Sequence, residues 1–144
     1  MNQQFLIFKV LKLIKEINLE YVKVQLFEPE LVRIEVTQNI TIGKAEAIQI
    51  TDQIGVLTNG KKYPVLMTGH EFAQVDKEGR EYSASEAGLR FTIADAIIVK
   101  NLAQKILAGF YLRINKPRKP TRVFKNENEA IEWLYQEKIN VTDK

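Results

Sequence analysis

Apolar and polar positions follow two rhythms along this chain. From Tyr21 to Val36 the period is two: Val22, Val24 and Leu26 alternate with Lys23 and Gln25, then Val32, Ile34 and Val36 alternate with Arg33 and Glu35. That pattern predicts strands with one buried face, and Glu28-Pro29-Glu30 between them is a turn signal, so the pair reads as an antiparallel hairpin. The preceding stretch, Phe5 to Ile17, reads differently. On a helical projection Leu6, Ile7, Val10, Leu11, Leu13, Ile14 and Ile17 share one arc, with Lys9, Lys12, Lys15 and Glu16 opposite. This predicts an amphipathic helix, although its first five residues suit a strand equally well. The apolar stretch falls short of the ~20 residues that cross a bilayer, and lysines inside it argue against a signal peptide.

After the hairpin, strand and helix patterns alternate. Thr41 caps an expected helix to about Leu57, with Ala47, Ile50, Ile54 and Leu57 on one face and Asn59-Gly60 as its stop. Tyr63 to Thr68 and Ala96 to Val99 are near-continuous apolar runs, the signature of central strands covered on both faces. Between them Ser83-Ala84-Ser85-Glu86 has the spacing of a capping box and predicts a helix to about Ile93. Asn101-x-x-Gln104 and Asn126-x-x-Glu129 have cap spacing before two further helices. The first carries Leu102, Ile106, Phe110 and Ile114, the second Ala130, Ile131, Leu134 and Tyr135, and Thr121 to Phe124 is the strand between them. The expected fold is α/β: an N-terminal helix, a β-hairpin, then βα units forming a mostly parallel five-stranded sheet. The domain spans 19–138, with 1–18 an added helix and 139–144 a polar tail.

Composition narrows the chemistry. A chain of 144 residues with 45% hydrophobic and 27% charged residues suffices for one soluble domain, and a net charge of +3 does not by itself indicate a nucleic-acid binder. With no cysteine and one histidine, thiol nucleophiles and Cys or His-rich metal sites are excluded, so neither a cofactor nor a metal is expected. His70 with Ser83 or Ser85 and Asp76 or Asp95 can be drawn as a triad, but no Gly-x-Ser-x-Gly or phosphate loop accompanies it. A surface histidine is the plainer reading, and no enzyme is expected. Glu71, Asp76, Glu78, Glu81 and Glu86 form an acidic excursion whose spacing is not that of a calcium loop.

The least ordinary feature is a basic run, Arg113, Lys116, Arg118, Lys119, Arg122 and Lys125, stiffened by Pro117 and Pro120. Arg113, Lys116, Arg118 and Lys119 are candidates for binding a protein partner or an anionic small molecule; a solubilising loop is the bland alternative. Interleaved exposed aromatics are missing, so nucleic acid is not an expected partner. The apolar arc of residues 5–17 needs a cover: its own sheet, a membrane surface, or a second subunit in a homodimer.

The stretch Ala94-Asp95-Ala96-Ile97-Ile98-Val99-Lys100-Asn101-Leu102-Ala103 carries a resemblance to a known family, as do Phe110-Tyr111-Leu112, Asn115-Lys116-Pro117, Pro120-Thr121, Phe124 and Glu129-Ala130-Ile131-Glu132-Trp133-Leu134. Together with the element order, they resemble the STAS domain of anti-sigma-factor antagonists, and more closely the STAS/SEC14-like branch of small stand-alone bacterial members. The resemblance covers about residues 19–138. It implies a cytoplasmic regulator that binds a partner, a kinase in the members of known role, and is switched by a serine phosphorylated at the N-terminus of the helix after the third strand. The Asp-x-Ser-Gly of those members is absent; Ser83 and Ser85 are the candidate phosphoacceptors by position, while plain helix capping explains Ser83 equally. The expected function is a non-catalytic interaction module, the alternative a peripheral membrane or lipid-binding protein using the N-terminal helix and the basic loop.

Overall fold

The computed structural model describes residues 11–142. A sheet of six strands runs in the order β1 (Lys12–Asn18), β2 (Val22–Glu28), β3 (Leu31–Val36), β5 (Tyr63–Gly69), β7 (Thr92–Ile98) and β8 (Thr121–Phe124). β1, β2 and β3 pair antiparallel, and β3, β5, β7 and β8 pair parallel. A separate two-stranded ribbon joins β4 (Thr41–Ile42) to β6 (Gln74–Val75). The helices are α1 (Lys44–Thr58), α2 (Lys77–Ala84), α3 (Leu102–Phe110) and α4 (Glu127–Thr142), with a π-helical turn over Tyr111–Asn115 extending α3.

The class is α/β with a mostly parallel sheet, but the N-terminal expectation is corrected. Residues 12–18, expected as the end of a helix, are an edge strand paired with β2, so the sheet has six strands rather than five. The remainder of that expected helix, up to residue 10, lies outside the described residues. The helical pattern lost to backbone pairing: the free edge of β2 offers a ladder that an isolated, lysine-interrupted helix cannot match. Lys12 and Lys15 are exposed on β1, where charge discourages further pairing at the sheet edge.

The two faces have separate cores. One face carries Val22, Val24, Val32, Ile34 and Val65 beneath Ile50, Ile54 and Leu57 of α1. The other carries Leu31, Leu66, Ala94, Ala96 and Ile98 beneath Ala130, Ile131 and Leu134 of α4. The hairpin register, Val22 opposite Val36, Val24 opposite Ile34 and Leu26 opposite Val32, keeps its alternate apolar positions on the α1 face.

Two helix starts are corrected. Thr41 lies in β4, and α1 starts after Gly43, whose N–H donates to Glu46 Oε1 at 2.7 Å. The second helix was expected to start at Ser83, but its N-cap is Asp76, which accepts from Gly79 N–H at 2.8 Å. Ser83 falls in the last turn of α2 and Ser85 just beyond it, and residues 86–91, expected to continue the helix, are a turn leading into β7. The serines expected at a helix start therefore sit at a helix end. An aspartate three residues before a glycine N–H outcompeted the later serines as a cap. Three boundaries agree with the sequence: Asn59 and Gly60 close α1 with φ of 53° and 76°, and Asn101 and Asn126 cap α3 and α4 by accepting from Gln104 N–H at 2.9 Å and Glu129 N–H at 3.2 Å. The C-terminal end is corrected, because α4 continues to Thr142 and residues 139–142, expected as part of a polar tail, are helical.

Candidate functional site

α3 turns an apolar stripe to solvent. Leu102, Ile106, Phe110 and Ile114, four residues apart, are 70%, 60%, 37% and 61% exposed, whereas Ala108 and Tyr111 on the opposite side are buried. Phe72, 60% exposed, lies in the loop after β5, and that loop is tied to the start of α3: Asn101 Nδ2 donates to Glu71 O at 3.1 Å and Gln104 Nε2 to His70 O at 3.1 Å. The periodicity of this stretch predicted the helix; it carried no information on what covers the stripe.

The basic run continues from the end of α3. Arg113 is exposed in the π turn, Lys116, Arg118 and Lys119 form the loop to β8, Arg122 lies on that edge strand, and Lys125 follows it. Among the described residues none of these six makes an ion pair. Arg118 N–H donates to Ala84 O at 3.1 Å, anchoring the loop to the end of α2, and Arg122 lies over the Phe124 ring at 5.1 Å. From Ala96 to Asn126 the sequence has no acid and eight basic residues, so the stripe and the loop form one cationic and apolar surface.

Beneath α3 the α1 face of the sheet lines a partly open cavity of about 190 Å³. Its polar lining includes Thr68 on β5, Thr92 and Asp95 on β7, Arg80 and Ser83 on α2, and Tyr111, with Thr51, His70, Gln74 and Gln104 completing it. A register shift places Asp95 there: Tyr63 pairs with Thr92 but Val65 with Asp95, so β7 carries an extra residue and turns both Thr92 and Asp95 to the same face. Asp95 is buried, its Oδ1 has no hydrogen-bond partner among the described residues, and burial pushes its carboxyl up to about 7. Burial, and after it the charge of Asp95, push the Tyr111 phenol up. Arg80 Nη1 donates to Val75 O at 2.7 Å and the guanidinium lies over Phe110, but its buried Nε has no partner among the described residues.

The drawn triad does not assemble. Asp76 is occupied as a cap, His70 Nδ1 accepts from Phe72 N–H at 3.2 Å, and among the described residues no hydrogen bond links His70 to Ser83, Ser85 or Asp95. Ser83 and Ser85 are likewise misplaced for the expected phosphoswitch. They stand at the C-terminal end of α2, where the dipole disfavours an added dianion, and Ser85 instead accepts from Gly88 N–H at 3.1 Å in the turn toward β7. Neither Arg80 nor Tyr111 stood out in the sequence as a site residue, and Asp95 entered only through the triad. A lone acid inside the apolar run Ala94–Val99 was the signal available.

Among the described residues no cluster of side chains could hold a metal ion, and no helix is long and apolar enough to cross a membrane. No curated protein matches the sequence. A family model, a domain of unknown function designated DUF7793, matches residues 26–138, from the end of β2 through most of α4. The chain belongs to that family.

Proposed function

We propose that this protein is a non-catalytic interaction module whose α3 surface docks an acidic protein partner. The observation that supports this reading is the exposed stripe of Leu102, Ile106, Phe110 and Ile114 beside Arg113, Lys116, Arg118 and Lys119, which make no ion pair among the described residues. Apolar side chains in such a patch gain by being covered, and a cationic rim selects a partner with acids around its own apolar contact. Binding without chemistry is also what the resemblance to STAS regulators implies. The peripheral-membrane reading shares this surface's basic loop; of the helix over residues 5–17 that it also uses, 12–17 form a strand and 5–10 lie outside the described residues.

The test is site-specific photo-crosslinking in the native cell, with the reactive group at Ile106 and, as a control on a distant exposed position, at Val56 of α1. A single protein crosslinked from Ile106 and not from Val56, bearing an acidic contact segment, supports the proposal. Crosslinking to lipid, or the same products from both positions, contradicts it.

A further inference from the structure

We propose that the cavity beneath α3 binds an apolar α-amino acid as its zwitterion, the ammonium on Asp95 and the carboxylate on Arg80. This goes beyond the docking surface and does not depend on it. A carboxyl and a guanidinium line one cavity of about 190 Å³, yet among the described residues no ion pair joins them, and Asp95 Oδ1 and Arg80 Nε are each buried without a partner. Buried polar groups are normally paired, and two of opposite sign held apart in one space are complementary to a molecule carrying both charges.

The rest of the lining fits that ligand. The hydroxyls of Thr68, Thr92 and Tyr111 make no hydrogen bond among the described residues and are available to an ammonium or a carboxylate. Ile50, Ile54, Val65, Met67, Ile97 and Leu107 supply apolar walls for a side chain. The volume exceeds the ~150 Å³ of a cavity that accepts benzene and the cavity is partly open, which leaves room for the ammonium and carboxylate beside an apolar side chain. His70 is the other titratable group on the lining; no glutamate or lysine is present there, so neither a dianion nor a dication is matched. Burial holds the Asp95 carboxyl up at about 7, and an ammonium beside it would favour its ionised form.

The experiment is a titration of the full chain with L-leucine, L-isoleucine, L-methionine and L-phenylalanine at millimolar concentrations, followed by amide NMR. Two one-sided probes, 4-methylpentanoate and 3-methylbutylamine, accompany them. Saturating shifts at Asp95, Arg80 and Tyr111 are expected with at least one amino acid, and binding at least about tenfold weaker with both one-sided probes. Asp95→Asn should weaken the bound amino acid by a similar factor and should not weaken 4-methylpentanoate, whose carboxylate no longer shares the cavity with a second carboxyl. The proposal is overturned if none of the four amino acids saturates, if either one-sided probe binds as tightly, or if a folded Asp95→Asn variant binds the amino acid like wild type. The comparison of probes on the wild-type chain decides the matter if that variant does not fold.

Discussion

Asp95 and Tyr111 line the same cavity, and neither side chain makes a hydrogen bond among the described residues. The other titratable groups that line that space are Arg80 from α2, Tyr111 from the π turn and His70 just after β5. Burial raises the carboxyl from 3.8 to about 7, so the folded protein retains a proton that the unfolded chain has already lost in that interval. The contribution of this group to stability is therefore complete below the unfolded value and is lost as pH rises toward the folded one, at up to about 1.4 kcal/mol per pH unit. Asp95→Asn has no such proton to lose. Urea melts of both proteins at acid and mildly alkaline pH should show the variant gaining on wild type as pH rises; parallel profiles would contradict the assignment.

Two glycines give opposite expectations. A Cβ at Gly88 would lie 2.1 Å from Tyr82 O, a backbone atom that cannot step aside, whereas one at Gly109 in α3 meets nothing within 4 Å. Gly88→Ala should destabilise by about 1–3 kcal/mol. Gly109→Ala should stabilise by about 0.5–1 kcal/mol through helix propensity. Thermal melts of the two variants check both signs.

Arg33 donates from Nε to Glu127 Oε1 at 2.9 Å and from Nη2 to Oε2 at 3.2 Å, a two-pronged contact that ties β3 to the first residue of α4. Both side chains are partly exposed, so solvent screens the pair. A double-mutant cycle with Arg33→Met and Glu127→Gln should return a coupling of about 0.5–1 kcal/mol. A coupling indistinguishable from zero would mean that the contact does not hold α4 in place.

The sequence was informative where a local pattern and its tertiary surroundings agree. The β2–β3 alternation is such a case, as are the Asn101 and Asn126 caps and the Thr121–Phe124 strand. It misled where a local pattern had two uses. Residues 12–17 have helical spacing, but the open edge of β2 recruits them. Ser85 does use its hydroxyl to hold a backbone N–H three residues on, the same bond a cap would make, but in a turn after α2 instead of at a helix start. The Asp95 site was hidden for a different reason. It depends on an extra residue in β7 relative to β5, a relation between two strands that neither strand's own pattern contains.

Loss of apolar stripe residues should affect binding and not folding. Ile106→Ser with Ile114→Ser removes two exposed side chains and should leave stability within about 0.5–1 kcal/mol of wild type, while Leu134→Ala in the α4 core should cost about 2–5 kcal/mol. A large loss from the exposed pair would mean that the stripe is covered within the protein itself.

The most direct test of the docking claim measures retention of the crosslinked partner, and separately of anionic vesicles, by three proteins at low and physiological salt. These are wild type, Ile106→Ser/Ile114→Ser, and Lys116→Ser/Arg118→Ser/Lys119→Ser. The account predicts that wild type retains the partner, that the stripe variant loses it at both salt concentrations, and that the loop variant loses the part of wild-type binding that salt weakens. Equal retention by all three proteins, or retention of vesicles and not of the partner, would contradict it.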